Sequence, residues 1–144
     1  MYKHILLPTD GSEIALRALR TGVELAQALG AKATVMTALE HFPAGIMGSG
    51  YRPPDDADEE PGLQLALARL STAEEILSKA GVSYQRILVR NKPVYLAIVD
   101  TAKECGADLI VMGTHGMSFI ERMLIGSQTQ RVLSHTHIPV LTLH

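Results

Sequence analysis

The sequence predicts a doubly wound α/β domain, in which a five-stranded parallel sheet lies between two layers of helices. Short apolar runs alternate with longer amphipathic segments along the 144 residues, in the order β-α-β-α-β-α-β-α-β. Several of the apolar runs are continuous, which is typical of strands that are covered on both faces. Helical crossovers between parallel strands are right-handed, so this order favours one open sheet. There is no repeat and no sign of a second domain, and residues 1–144 are interpreted as one domain.

Local patterns place each element. Strands are expected at residues 5–8, 34–39, 84–89, 109–112 and 140–143. Apolar residues at helical spacing predict a first helix that ends at the cap Gly30, and a cleaner apolar stripe closed by Gly81 predicts a second. Pro93 suits the first turn of a third helix, and Ser127 begins a fourth.

Composition and charge exclude several classes of function. The net charge of -2 and the lack of any Lys/Arg cluster argue against a nucleic-acid-binding surface. No apolar stretch approaches the ~18–20 residues of a membrane span, and the single cysteine, Cys105, excludes an internal disulfide. His135 and His137 lack the further ligands that a zinc site needs. We therefore expect a cytoplasmic protein with no nucleic-acid or membrane partner and no metal centre.

The most informative motif follows the fourth predicted strand. Gly113-Thr114-His115-Gly116 is followed by nine residues and then by Gly126-Ser127. Glycines at the end of a strand let a ligand approach the backbone, because no Cβ intrudes. The second glycine precedes a helix, and a helix N-terminus presents unpaired N–H groups and a partial positive charge. Together the two elements predict a phosphate cradle.

A carboxylate is expected across from this cradle. The first strand ends in the segment Pro8-Thr9-Asp10-Gly11-Ser12. Ligands of an open parallel sheet bind beyond the carboxyl ends of the strands, where the strand order reverses, and Asp10 would there accept hydrogen bonds from ribose hydroxyls. The alternative is that Asp10 is only a turn or capping residue, because Asp-Gly-Ser is common turn chemistry.

These segments resemble the signature segments of the universal stress protein family, in the family's order. They are Pro8-Thr9-Asp10-Gly11-Ser12, Ala107-Asp108-Leu109-Ile110-Val111-Met112-Gly113, Gly116, Gly126-Ser127 and Ile138-Pro139-Val140-Leu141. The resemblance covers nearly the whole chain and is weakest over residues 41–62. The spacing Gly-x2-Gly-x9-Gly-Ser is the pattern of the family's ATP-binding branch.

The resemblance implies the strand order 3-2-1-4-5 and an adenine nucleotide, ATP alone or with Mg²⁺, lying over strands one and four. Positions that match the family's site are expected to contact it. They are Thr9 and the backbone near Ala38 at the adenine, Asp10 at the ribose, and Gly113, Gly116, Gly126, Ser127, Gln128 and Thr129 at the phosphates. The family commonly dimerises through its last strand, here Val140–Leu143, which would also cover an apolar edge.

Two positions depart from the family's pattern. The family often has a glycine shortly before the proline that opens the third helix, and here the stretch is Arg90-Asn91-Lys92-Pro93. Asparagine is the residue most able to replace glycine at positive φ, so we expect the turn to be kept. Ala38 leaves a smaller side chain near the adenine than many relatives have, and its backbone contacts are expected to persist.

Residues 41–62 interrupt the alternation of strands and helices. They are rich in proline and glycine and carry an acidic cluster at residues 55–60. This composition is typical of a mobile, solvated loop. A lid over the ligand is the alternative, and the acidic residues disfavour it because they repel phosphates unless a divalent cation intervenes.

The sequence favours nucleotide binding over catalysis. It holds no Gly-x4-Gly-Lys-Ser/Thr motif, so no lysine is placed on a β- or γ-phosphate. His115 could polarise a phosphate or order a water, but it is more simply explained as an exposed loop residue. No catalytic residue is assigned, and hydrolysis is expected to be slow at most. A slow ATPase or phosphotransferase that uses Asp10 with a divalent cation, and a nucleotide-free interaction module, remain as alternatives.

The glycine motif also predicts the effect of a substitution. Valine in place of Gly113 or Gly126 is expected to abolish nucleotide binding and to leave the fold intact, because a Cβ would enter the path of the phosphates.

Overall fold

The computed structural model describes residues 1–39, 59–114 and 127–144. Within these ranges the elements follow one another in the expected order. The strands are β1 (His4–Pro8), β2 (Lys32–Leu39), β3 (Tyr84–Arg90), β4 (Leu109–Gly113) and β5 (Val140–Leu143). The helices are α1 (Glu13–Leu29), α2 (Glu59–Lys79), α3 (Val94–Cys105) and α4 (Ser127–His135). None of the helices, as far as the structure describes them, has the length and apolar character needed to cross a membrane.

The strands form one sheet in the order β3-β2-β1-β4-β5, and every neighbouring pair is parallel. This confirms the predicted fold class and strand order. From β1 the chain builds outward to β2 and β3 on one side, and then crosses back to add β4 and β5 on the other. The strand order therefore reverses between β1 and β4, and the carboxyl ends of these two strands flank the reversal.

Each face of the sheet is covered by one pair of helices. Leu7 of β1 belongs to a buried cluster with Leu19 of α1 and Leu70 of α2. The preceding residue, Leu6, belongs to a second cluster with Val132 of α4. Successive side chains of a strand point to opposite faces, so a strand covered on both sides reads as a continuous apolar run.

Two turns have the backbone conformation that their residues predict. Gly30 ends α1 in the left-handed region at φ 65°, and its N–H is donated to the carbonyls of Ala26 and Gln27. Asn91 has φ 60° and donates its N–H to the carbonyl of Leu39 at 3.2 Å. The expectation that asparagine keeps the turn before α3 is therefore confirmed.

The start of α2 differs from the expectation. The helix begins at Glu59, so residues 59–62 of the predicted loop are helical. Proline is tolerated in a first turn, where N–H groups lack intrahelical partners. Pro61 and the end of the acidic cluster thus form a helix start, although their composition is also that of a loop. The rest of the predicted loop lies outside the described residues.

A buried polar network lies at the amino edge of the sheet, at the opposite end of the strands from the predicted ligand site. His4 is only 4% exposed, and its Nε2 lies 2.6 Å from Oγ1 of Thr34. The same oxygen accepts a hydrogen bond from Gln85 at 3.0 Å. Burial lowers the pKa of His4 below its ordinary value, Lys32 acts in the same direction, and Asp108 opposes them.

This network is expected to make stability depend on pH. The folded chain resists protonation of His4, whereas the unfolded chain takes up that proton near pH 6.5. The free energy of unfolding is therefore expected to fall as the pH drops below about 6.5, by up to about 1.4 kcal/mol per pH unit. Urea unfolding between about pH 5 and 8 measures this slope. Burial acts to raise the pKa of Asp108, but hydrogen bonds from backbone N–H groups outweigh it and lower that pKa. The Asp108 carboxylate therefore stays ionised over this pH range.

Two histidine variants separate His4 from the other titrating groups. His4→Asn removes the buried ring and is expected to flatten the slope. His137→Gln changes an exposed histidine and is expected to leave the slope as it is in wild type. Equal slopes in wild type and His4→Asn would contradict the assignment.

Candidate functional site

The carboxyl ends of β1, β2 and β4 meet at one edge of the sheet. β1 pairs in parallel register with β2 on one side and with β4 on the other. Continued past the last paired residues, the register of β1 with β4 puts Thr9 level with Gly113, and the turn into α1 follows at Asp10. Open parallel sheets bind ligands at such a reversal of strand order. Thr9, Ala38 and Gly113 therefore lie at the carboxyl ends of neighbouring strands, and Asp10 follows Thr9 in the chain.

Thr9 ties the end of β1 to β2. It is buried, its N–H is donated to the carbonyl of Met36 at 2.9 Å, and its own carbonyl accepts the hydroxyl of Thr37 at 2.7 Å. Its hydroxyl oxygen accepts the N–H of Gly11 at 3.2 Å. These bonds fix the backbone on both sides of Asp10, so the carboxylate is carried by an ordered turn.

Asp10 shapes the start of α1. Its Oδ1 accepts the N–H of Ser12 at 2.9 Å, and Oγ of Ser12 in turn caps the helix by accepting the N–H of Ala15 at 3.2 Å. Ser12, and not Asp10, is therefore the N-cap. The bond to Ser12 holds the Asp10 carboxylate in one orientation, which suits it to accept hydrogen bonds from a ligand that approaches the edge of the sheet.

Arg69 of α2 lies against this turn. Gly11 has φ 79°, and a Cβ at Gly11 would lie 2.9 Å from Cγ and 3.0 Å from Nε of Arg69. Glycine is thus favoured at this position by the positive φ. It is also favoured because the aliphatic part of the Arg69 side chain occupies the space that a Cβ would need. Sequence analysis did not single out Arg69, because nothing local in α2 shows which loop the side chain reaches.

The packing of α1 against the end of β4 favours glycine at residue 113. A Cβ there would lie 2.9 Å from Cγ1 of Ile14 and 3.3 Å from that residue's backbone carbon. Valine at Gly113 would therefore disturb the packing of α1 against the end of β4. This corrects the expectation that Gly113→Val leaves the fold intact, and the substitution does not isolate the effect of the ligand.

The first turn of α4 is anchored to the end of β4. The hydroxyl of Thr129 is donated to the carbonyl of Gly113 at 3.0 Å, with the carbonyl of Thr114 at 3.4 Å. Thr114 donates its N–H to the carbonyl of Leu143 in β5 at 2.8 Å. Thr114 is fully buried, and its hydroxyl has no hydrogen-bond partner within the described ranges. The side chain of Thr129 thus positions the helix.

Gln128 also has a partner within the protein. Its Oε1 accepts the N–H of Tyr95, in the first turn of α3, at 3.1 Å. Of the other expected phosphate contacts, Ser127 begins α4, whereas His115, Gly116 and Gly126 lie outside the described residues. In the part of the chain that is described, no three His, Cys, Asp or Glu side chains could together hold a metal ion.

Comparison with known proteins places this geometry in a family. The model of the universal stress protein family matches residues 1–144. The chain belongs to the universal stress protein family. It is similar to a universal stress protein of Thermus aquaticus, with 37% identity over 98% of each chain.

Two solved universal stress proteins that share this fold were determined with adenine nucleotides. One, a complex with cAMP, is 30% identical with a TM-score of 0.73 and covers 99% of this chain and 98% of its own. The other, from Archaeoglobus fulgidus in complex with dAMP, is 28% identical with a TM-score of 0.73 and the same coverage.

Proposed function

We propose that this universal stress protein binds an adenine nucleotide, ATP alone or with Mg²⁺, as a regulatory or structural ligand in a cytoplasmic stress response. The observation that carries the proposal is the parallel register of β1 with β2 and β4, because the chain leaves β1 through Thr9 and Asp10 where the strand order reverses. The two relatives that hold cAMP and dAMP support adenine as the base.

Each part of the edge has a role in this proposal. Asp10 accepts hydrogen bonds from the ribose, and Thr9 with the backbone of Ala38 borders the adenine. The phosphates are assigned to both glycine elements and to the first turn of α4, that is, to Gly113, His115, Gly116, Gly126, Ser127, Gln128 and Thr129. Because the side chains of Gln128 and Thr129 have partners within the protein, we assign their backbone N–H groups to the ligand.

The first experiment identifies the ligand. Denaturing the purified protein and analysing the released small molecules by mass spectrometry is expected to yield ATP. Nucleotide-free protein is expected to bind ATP with Mg²⁺ saturably in titration calorimetry. ADP or AMP alone would favour slow turnover over simple binding. No released nucleotide, together with no heat on adding ATP, would contradict the proposal.

Substituting Asp10 tests the ribose contact. Asp10→Ala is expected to weaken ATP binding about tenfold or more, because hydrogen bonds to a charged acceptor contribute roughly 1.5–3 kcal/mol. Wild type is expected to bind 2′,3′-dideoxy-ATP about tenfold less tightly than ATP, because that analogue lacks both ribose hydroxyls, and Asp10→Ala is expected to bind the two alike. Calorimetry with both ligands measures the difference.

Asp10→Asn is the matched control for the turn. It keeps an oxygen that can accept the N–H of Ser12, so its stability is expected to remain close to that of wild type while its ATP affinity falls. If Asp10→Ala still preferred ATP to the dideoxy analogue, Asp10 would have no place at the ribose.

We also propose a homodimer formed through β5 (Val140–Leu143). β5 lies at one edge of the sheet, and its Leu141 side chain is 40% exposed. An open strand edge beside apolar surface is a site that proteins in water usually cover. Pairing of two β5 edges about a two-fold axis would cover both copies with the same residues.

A further inference from the structure

α3 begins without a cap from its own side chains. Its N-cap residue is Pro93, and a proline ring carries no hydrogen-bond acceptor. The first N–H groups of a helix have no intrahelical partner, and leaving a buried one unpaired is costly. The N–H of Tyr95 is instead donated to Oε1 of Gln128, which lies in α4. Because a backbone N–H can only donate, the Gln128 amide presents its oxygen here.

The ring of Tyr95 contacts two further residues of α4. Cζ of Arg131 lies 5.6 Å from the ring centroid, within the range of a cation–π contact. The ring of His135 lies 5.0 Å away between centroids, tilted by 45°. Gln128, Arg131 and His135 are spaced by three and four residues and so form one stripe of the helix. Tyr95 therefore contacts α4 from its first turn to its last residue.

A second stripe of α4 contacts the sheet. Thr129 is bonded to the carbonyl at the end of β4, and Val132 is fully buried in the core. The contacts with the sheet fix the distance between α4 and the sheet. The contacts with Tyr95 of α3 restrain rotation of α4 about its own axis. With both stripes in place, the N-terminus of α4 has one position relative to the end of β4.

We infer that Gln128 is a positioning residue for phosphate binding. Its hydrogen-bond partner on α3 is the backbone N–H of Tyr95. This inference rests on the proposed function, which assigns the phosphates to the first turn of α4. The amide oxygen of Gln128 caps α3 and so aims the backbone N–H groups of α4 at the ligand. Affinity for phosphate-bearing ligands then depends on the contact between the two helices, and affinity for adenosine does not.

The test compares ATP and adenosine binding to three variants. Gln128→Met keeps the length of the side chain but removes the acceptor, and Tyr95→Ala removes the ring that holds the rest of the stripe. Each is expected to weaken ATP binding about five- to tenfold while adenosine binding changes less than about twofold. The double variant is expected to be weaker than either single variant, because Gln128→Met removes the cap on α3 whereas Tyr95→Ala removes the ring contacts with Arg131 and His135.

Two controls accompany these variants. Tyr95→Phe keeps the ring and the backbone N–H, and is expected to retain the affinity that Tyr95→Ala loses. Ser134→Ala changes an exposed residue of α4 whose hydroxyl is bonded only within that helix, to the carbonyl of Gln130 at 2.9 Å, and is expected to bind ATP as wild type does.

The outcomes distinguish the possible roles of Gln128. A loss of ATP affinity in Gln128→Met with unchanged hydrogen exchange at the amide of Tyr95 would make Gln128 a direct phosphate ligand and overturn the inference. Equal losses for ATP and adenosine would reduce it to a contribution to folding and also overturn it. Unchanged ATP binding in both variants would do the same.

Hydrogen exchange tests the helix contact without a nucleotide. In Gln128→Met the amide of Tyr95 and those in the first turn of α4 are expected to exchange faster, with the core strands unchanged. If wild type bound no nucleotide, the proposed function would fail while this exchange still reported on the contact. Unchanged exchange in Gln128→Met would overturn the positioning role by itself.

Discussion

Valine in place of Gly22 is expected to lower the free energy of unfolding by about 3 kcal/mol. Gly22 lies on the buried face of α1, where a Cβ would overlap Cδ2 of Leu7 in β1 and lie 3.4 Å from Cβ of Val111 in β4. Leu7 is fully buried, so its side chain has no open space to move into. Overpacking a dense core costs roughly 1–3 kcal/mol and occasionally more, and valine brings two methyl groups in addition to its Cβ.

Urea unfolding followed by far-UV circular dichroism measures this loss. Gly22→Ala is expected to cost less, because it adds only the Cβ and gains about 1 kcal/mol of helix propensity over glycine. Ala28→Val introduces the same β-branched side chain at an exposed position of α1 and is expected to cost only a few tenths of a kcal/mol. A wild-type unfolding midpoint for Gly22→Val would show that α1 lies farther from β1 than the structure has it.

Gly22 also marks a limit of what sequence could predict. Helical spacing places it on the inner face of α1, but its neighbour depends on where α1 crosses the sheet. The same limit applies to Gly113, where the nearest atoms belong to Ile14 of α1. In both cases glycine is required by a close approach between elements that are far apart in the chain or joined through a turn, and no local pattern encodes that distance.

Features set by local chemistry were predicted more fully. The continuous apolar runs predict buried strands because each residue of β1 faces one of two covered surfaces. Gly30 and Asn91 lie at positive φ because few other residues tolerate it. The start of α2 was missed since Pro61 and acidic residues suit both a loop and a first helical turn, and only the packed helix decides between them.

At the candidate site, the sequence was enough to predict the strand order but not the partners of every expected site residue. β1 and β4 lie side by side, so the segments that follow these two strands leave the sheet at the same edge. Gln128 was expected at the phosphates from its position in the motif, whereas its side chain caps α3. That bond spans 33 residues of the chain, and it follows from the missing cap at Pro93 only once α3 and α4 are known to be adjacent.

Proline in place of Thr142 is expected to abolish the proposed dimer while leaving each chain folded. Ile110 donates its N–H to the carbonyl of Pro139, and Thr114 donates to that of Leu143. In a parallel ladder the N–H and C=O of one residue point to the same side and alternate along the strand. The odd-numbered residues of β5 thus face β4, so the N–H of Thr142 points out of the open edge.

Proline removes that outward N–H without breaking a bond between β4 and β5. Edge strands tolerate proline where its missing N–H faces away from the sheet, and natural proteins use it to block pairing of edges. Two-fold symmetry places the change on both sides of the interface, so the dimer is expected to weaken at least about 100-fold. Sedimentation velocity at micromolar concentration measures the loss, with circular dichroism as a check on folding.

Thr142→Val keeps the N–H and is expected to remain dimeric, which separates the backbone from the side chain. A folded Thr142→Pro protein that stays dimeric would place the interface elsewhere, and a monomeric wild type would contradict the dimer itself. Because the carbonyl of Leu143 faces β4, its bond to Thr114 survives in Thr142→Pro. The monomeric variant is therefore expected to bind ATP within about twofold of wild type. Such a result would mean that one chain carries the whole nucleotide site.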